Sequence, residues 1–307
     1  MKAARPVRII FGAVLSLLLA SAQQQSDPDF NPAIEHPAYP EGQGPFVAVD
    51  ASHHNFHTAA GRYKPFADLL RRDGYAVRGS DGLFTAESLR GVEILVISNA
   101  LNERNREDWS LPTPSAFVDE EIRAVQEWVG AGGSLLLIAD HMPFPGAVEN
   151  LGAAFGLHFS NGMVGQGPQL EATIRFSRPE GGLADHLITR GRRESERVEF
   201  VVTFGGSAFQ APENAQPLLV FDESAISFTP EKAGNFGPGS PQEPVGGWLQ
   251  GAVLHAGKGR LAVFGEAAMF SAQVAGPIRF GMNSADAPHN AQFLLNVMHW
   301  LSGLLPD

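Results

Sequence analysis

The chain has no cysteine among its 307 residues. That removes disulfides, thiolate metal sites and a cysteine nucleophile together, so any chemistry rests on oxygen and nitrogen groups. Basic residues are scarce as well: 22 Lys and Arg stand against 33 Asp and Glu, a net charge of -11, and they gather nowhere into a block. Binding a phosphate backbone needs a concentrated basic face, so nucleic acid is excluded and small molecules or proteins are the expected partners. Several signatures are also missing. There is no His-Glu-x-x-His zinc helix, no phosphate loop and no dinucleotide fingerprint, so nucleotide cofactors find no support. A serine elbow is lacking too: Gly205-Gly206-Ser207-Ala208-Phe209 wants its second glycine, and Gly133-Ser134 precedes a strand instead of following one.

One apolar run stands out at the start. Lys2, Arg5 and Arg8 precede Ile9 to Ala20, and Ala20-Ser21-Ala22 fits the small-residue cleavage rule, so residues 1–22 read as a secretory signal peptide. The run is shorter than the ~20 residues of a membrane span, and no later segment is longer. The expectation is export to the periplasm or the outside, with no membrane span after cleavage. Residues 23–44, rich in Gln, Pro, Asp and Glu without apolar periodicity, read as an extended leader in which His36 is merely solvated. Residues 45–304 read as one α/β domain.

Within that domain the pattern alternates. Phe46 to Asp50, Tyr75 to Val77, Glu93 to Ser98 and Leu135 to Ala139 are short apolar strands. Between them lie helix-period segments, with Tyr63, Phe66, Ala67, Leu69 and Leu70 in one and Phe117, Ile122, Val125 and Val129 in another. Ser115 is the expected cap of the second. A β-α-β order with short connections implies parallel strands and right-handed crossovers, with helices on both faces. Asn99 to Pro114 reads as a long loop of the lid type, and a helix is expected to run through Phe155. Regularity lapses near residues 159–185 and 222–247, taken as insertions. Val198 to Val202 and Pro217 to Phe221 are expected to add an antiparallel edge to the sheet, and Trp248 to Gly265 to form a hairpin around Gly257-Lys258-Gly259. A final helix is expected from Ala291 to Leu301.

The sequence Gly265-Glu266-Ala267-Ala268-Met269-Phe270-Ser271, followed after a polar loop by Asn290-Ala291-Gln292-Phe293-Leu294-Leu295-Asn296-Val297-Met298-His299-Trp300-Leu301, resembles the C-terminal signature of bacterial DUF4350-type proteins. It is similar also to the GIFT-type domains of gliding-motility and intraflagellar-transport proteins. These look like members of the class I glutamine-amidotransferase-like superfamily, which includes the ThuA-like proteins. The resemblance spans roughly residues 45 to 302. It implies a flavodoxin-like, mostly parallel sheet more than an activity. Amidotransferases use a cysteine that this chain lacks, so glutaminase chemistry is ruled out. Glu266 stands where the family usually has Asp, which extends its reach by a methylene.

Ligands of open α/β sheets bind beyond the carboxyl ends of the strands. Three strands of this chain end there in acids: Asp50, followed by His53, His54, Asn55 and His57; Asp140, followed by His141; and Glu266. Asp140, His141 and Glu266 are the candidate catalytic groups. Asp50, His54, His57 and His141 form a candidate zinc or manganese set, because carboxylates and imidazoles with one open position are what such ions use to activate water. Asn55, Asn99, His289 and Asn290 are candidates for substrate binding. Each has a plainer alternative. Asp50 can cap the backbone that follows it, His53 is expected to point opposite to His54, and Glu266 can anchor the Asn290 region. His158, His186, His255 and His299 are expected to be satisfied locally. The expected function is a metal-assisted hydrolase of a small polar molecule, carbohydrate by superfamily analogy. Its rival is a non-catalytic module that binds a sugar, a peptide or a partner protein.

Overall fold

The computed structural model describes residues 24–236 and 239–305. The proposed signal peptide lies outside the described residues. The central sheet is built from β1 (Phe46–Asp50), β2 (Ala76–Ser80), β3 (Ile94–Ser98), β4 (Ser134–Ile138), β5 (Gln216–Val220), β6 (Leu249–Ala256) and β7 (Gly259–Phe264). Its order is β2-β1-β3-β4-β7-β6, after which come the two-residue strands Phe209–Gln210 and His158–Phe159, while β5 pairs with β6. The first five strands are parallel, and pairing turns antiparallel from β6 onward. The expected hairpin of β6 and β7 is present, and β5 supplies the antiparallel edge.

Successive residues of a strand point to opposite faces, and this sheet buries both. Val47, Val49, Ile94, Val96, Leu136, Ile138, Ala262 and Phe264 join one core; Ala48, Leu95, Ile97, Leu135, Leu137, Leu261 and Val263 join the other. Helices α1 (Lys64–Arg72) and α4 (Asn290–Leu301) close the first, whereas α2 (Asp119–Ala131) and α3 (Phe144–Ala153) close the second. This is why β3 and β4 read as continuous apolar runs with no alternation. Truncating a residue such as Leu136 to alanine would cost about 2–5 kcal/mol.

Several boundaries differ from expectation. Helix α2 starts at Asp119, not at Ser115: Glu121 reaches back to the Val118 amide at 3.1 Å, and Ser115 instead closes a turn on Phe117. Helix α3 stops at Ala153. Strand Phe200–Phe204 leaves the central sheet and pairs with Thr173–Ser177 in a two-stranded sheet of its own. The two irregular insertions are ordered by each other, since Ile226–Phe228 pairs with both Met163–Gly165 and Gln242–Pro244. Strands of three residues carry too few apolar positions to show a period.

The leader lies against the domain. Gln25–Ser26 pairs with Ala272–Ala275, and Phe30, Ile34 and Tyr39 pack on the first core. Gly74 sits where a Cβ would come within 2.3 Å of the Tyr39 carbonyl oxygen, so only glycine lets the leader pass there. Among the described residues no helix is long and apolar enough to cross a membrane.

Candidate functional site

In parallel pairing Phe264 lies beside Ile138 and Ile138 beside Ser98. The chains leave the sheet in step, which sets Glu266, Asp140 and Asn99 next to one another beyond the strand ends. There a cavity of about 60 Å³ is lined by Asp140, His141, Glu266, His57, Asn99 and Gln273, together with aromatic rings. That is room for a few waters or a small polar group.

Asn99 organises this floor. Its side-chain oxygen accepts the Asp140 amide at 2.9 Å, so its nitrogen faces His57 Nδ1 at 3.2 Å. With the amide orientation fixed, Nδ1 must accept and Nε2 must carry the proton. His57 is buried, and its Nε2 finds no partner among the described residues. Burial, then the charges of Arg62 and His141, pushes its pKa down to about 3, so the ring is a neutral donor. His141 is the converse case. Its Nδ1 lies 2.7 Å from the Met142 carbonyl and so donates, which in the neutral tautomer puts the lone pair on Nε2.

Glu266 is almost fully buried, and its two oxygens accept the Ala268 and Met269 amides, both at 2.7 Å. Burial above all, and then the charge of Asp140, raises its pKa well above the usual carboxylate range against the pull of those amides. Among the described residues no hydrogen bond joins it to Asn290 directly, but Asn290 Nδ2 lies 3.4 Å from the carbonyl of Met269, the residue whose amide Glu266 holds. Asp140 takes the His141 amide on one oxygen at 2.7 Å and the Ala267 amide on the other at 3.3 Å.

The walls are aromatic. Phe56, Trp109 and Phe144 meet with centroid separations of 5.2 to 5.7 Å, and Trp109 and Phe144 each lie 5.9 Å from the His141 ring. Arg62 stacks over Phe56 at 3.8 Å. Phe204, Phe280 and Gln24 also line the pocket. Sequence reasoning passed over these residues, although Phe56 and Phe144 stand within the polar clusters it singled out. Gln273, whose buried Oε1 has no partner among the described residues, carried no signal at all.

The remaining candidates lie elsewhere. Asp50 is fully buried and spends its oxygens on His53 Nδ1 at 2.9 and 3.0 Å, Asn55 Nδ2 at 2.9 Å and the Ser52 amide. His53 Nε2 meets Glu121 at 2.9 Å, and Phe84 and Phe117 cover the ring. Burial weighs most on His53 and opposes its charge, yet the hydrogen bonds and charges of Asp50 and Glu121 outweigh it and raise the pKa. Asp50, His53 and Asn55 are therefore an internal brace, not pocket groups. His54 turns out to the rim, 2.7 Å from Glu103. The four residues expected to share a metal are thus split among three places, with His57 offering a proton where a ligand would need a lone pair. Among the described residues no three His, Asp or Glu side chains form a metal-ligand set.

Asn290 is buried too, gripping the Val202 amide at 3.1 Å and its carbonyl at 2.7 Å. His289 rests edge-on against Phe200, outside the pocket lining. Of the four histidines expected to be satisfied locally, His158 pairs with Glu149 and His186 with Gln216, His255 packs on Trp300, and His299 pairs with Asp73.

No protein-family model matches the chain, and no curated protein does. Solved structures are similar to it. The N-terminal domain of mmIFT52 superposes with a TM-score of 0.59 at 17% identity over 83% of this chain and 97% of that one. The cytoplasmic protein STM1381 from Salmonella typhimurium LT2 does so with a TM-score of 0.50 at 17% identity over 84% and 99%. The neighbours also include a ThuA-like protein from Bacteroides uniformis, with a TM-score of 0.44 at 11% identity over 90% and 95%. At such identities the likeness is one of fold: a mixed α/β domain around a multistranded, mostly parallel sheet.

Proposed function

We propose that the chain is a hydrolase of a small polar substrate, working by acid and base groups in the pocket at the strand ends. The supporting observation is the convergence there of Glu266, whose pKa burial and Asp140 raise, with the free lone pair of His141 and the free N–H of His57. His141 Nε2 would take a proton from water, Glu266 would give one to the leaving oxygen, and His57 Nε2–H would donate to the oxygen on which negative charge builds. The aromatic lining would suit the apolar face of a sugar ring, which makes a carbohydrate the favoured substrate, although a cavity of about 60 Å³ would admit only one small polar group of it. The finer placement as a flavodoxin-like domain of DUF4350 or GIFT type belongs to the same proposal, supported by the strand order and the C-terminal residues. Export belongs to it as well, and is checked by the N-terminal sequence of the mature protein.

A second reading, a binding module without turnover, is favoured by one observation: both oxygens of Glu266 are already held by backbone amides. One experiment separates the two. Chromogenic glycosides and esters are offered to the wild type and to Glu266→Gln, Asp140→Asn and His141→Gln. Turnover with a bell-shaped pH profile, falling by about 10²–10⁴ in the variants, is expected of a hydrolase. Saturable sugar binding with no turnover in the wild type would replace it with the module. Elemental analysis of the same preparations tests the zinc or manganese expectation, and stoichiometric metal lost in His141→Gln would restore a metal-assisted route.

A further inference from the structure

The leader reaches the strand-end pocket: Gln24 lines it beside Gln273 and Phe280. In the antiparallel pairing Ser26 lies opposite Gln273 and Gln25 opposite Val274. Alternation along a strand therefore sets Gln24, Ser26 and Gln273 on one face of this small sheet, toward the pocket, and Gln25 and Val274 on the other. On that second face Gln25 is exposed and Val274 half-buried.

Residues 24–29 hold on by polar contacts. The Asp27 amide donates to the Ala272 carbonyl at 2.8 Å, and the buried Asp27 carboxylate accepts from Asn283 Nδ2 at 2.8 Å, from the Asp29 amide at 3.0 Å and from the Arg279 guanidinium. The only apolar side chain of the segment is that of Pro28, which is exposed. A hydrogen bond traded for one to water adds little net stability, and the Arg279 side chain is about half exposed, which weakens its ion pair. Phe30 is the first leader residue that packs on the core. The segment can therefore detach while the rest of the leader stays seated, turning at Phe30. With Gln24 in place the cavity measures about 60 Å³, too little for a whole sugar ring. Its removal takes away one wall and leaves Asp140, His141 and Glu266, which stand beyond the central strands, where they are.

We propose that residues 24–29 form a hinged strap over the strand-end pocket, whose detachment opens it to substrates larger than the closed cavity holds. This rests on the hydrolase reading of that pocket and adds a control of entry to it: the strapped form excludes a glycoside and the open form takes it.

The absence of cysteine makes a clean lock available. Directly opposed residues of antiparallel strands have Cα atoms about 4.5–5.5 Å apart, within the span of a disulfide, so Gln25→Cys combined with Val274→Cys should bridge on the face turned away from the pocket. The double variant is oxidised with glutathione disulfide or reduced with dithiothreitol, and compared with the wild type treated alike. Uptake of p-nitrophenyl β-D-glucoside and galactoside is read as turnover and as quenching of tryptophan fluorescence. Reduction is expected to raise uptake by the double variant at least about tenfold and to leave the wild type unchanged. Amide exchange reads the opening without any ligand: protection of the Asp27 amide in the wild type should lie at least about 100-fold below that of Leu136 in β4. Asp27 protected as strongly as Leu136 would overturn the strap whatever the ligand. Equal uptake by the oxidised and reduced forms would overturn it and leave the hydrolase reading standing. Uptake by none of the forms would sink the carbohydrate substrate instead, and the strap would then stand or fall on the exchange result.

Discussion

Asn99 sits at φ 50°, a left-handed conformation that asparagine tolerates better than most side chains, and from there it faces Asp140 and His57 together. Substituting alanine removes both hydrogen bonds and keeps the unfavourable backbone angle. Stranded buried groups cost about 1–3 kcal/mol each, and the angle adds about 1 kcal/mol that glycine would escape. Urea unfolding should therefore rank wild type above Asn99→Gly, and Asn99→Gly above Asn99→Ala. Equal losses in the two variants would show that the angle carries no strain. Asn99→Asp should do something different: its second oxygen accepts from His57 Nδ1, which moves the proton off Nε2 and reverses the ring's tautomer in its ¹⁵N spectrum. The pocket acids and His141 were legible in the sequence because charged residues directly after buried strands have few structural uses. Asp50 misled for a physical reason: its partner His53 is drawn inward by Glu121, which lies 68 residues beyond His53.

At the scale of elements, α4 shows why a strong sequence signature need not mark a ligand site. Asn290 acts as a strand partner, giving and taking a hydrogen bond with the two backbone groups of Val202, while Asn296 donates to the carbonyls of Ile188 and Glu196 at 2.8 Å each. These amides lock the last helix to segments nearly a hundred residues away. Asn290→Leu keeps the volume and strands both Val202 groups, so it should lower stability by about 2–5 kcal/mol in urea titrations, with ligand affinity of the folded fraction unchanged. A variant that folds normally yet loses ligand would return Asn290 to the binding surface. Strands β1, β3 and β4 were readable within a residue or two, since each is a run of four or five mostly apolar residues, whereas β2 runs three residues past the expected Val77 through the polar Arg78-Gly79-Ser80. Phe200–Phe204 was found as a strand but assigned to the wrong sheet, because apolar character says what is buried and not against which neighbour.

For the whole molecule, the ionisable groups that shift on folding set the pH at which it is most stable. His57, His186 and His289 have lowered pKa values in the fold, burial being the largest cause for each. The unfolded chain takes up those protons first as pH falls below about 6.5, so stability drops there. Glu196, held low by Arg192 against the larger opposing effect of its burial, and Asp27, held low by Asn283, Arg279 and the Asp29 amide against the same opposition, add to the loss at still lower pH. The other limb has the opposite sign. The His53 pKa is raised between Asp50 and Glu121, so its contribution is complete below about pH 6.5 and disappears as pH rises through the folded value. Glu266, raised by burial and Asp140, likewise favours the fold only while it keeps its proton, and that benefit shrinks steadily with rising pH. The two limbs cross near the ordinary histidine pKa, so urea midpoints measured across the pH range should peak at about pH 6.5 and fall toward about pH 9. His53→Gln preserves hydrogen bonding to Asp50 but cannot titrate, so it should flatten the alkaline limb and leave the acid limb in place. A midpoint that climbs from neutrality into the alkaline range, or an alkaline limb unmoved by His53→Gln, would mean that the brace of Asp50, His53 and Glu121 does not hold its charge in the folded protein.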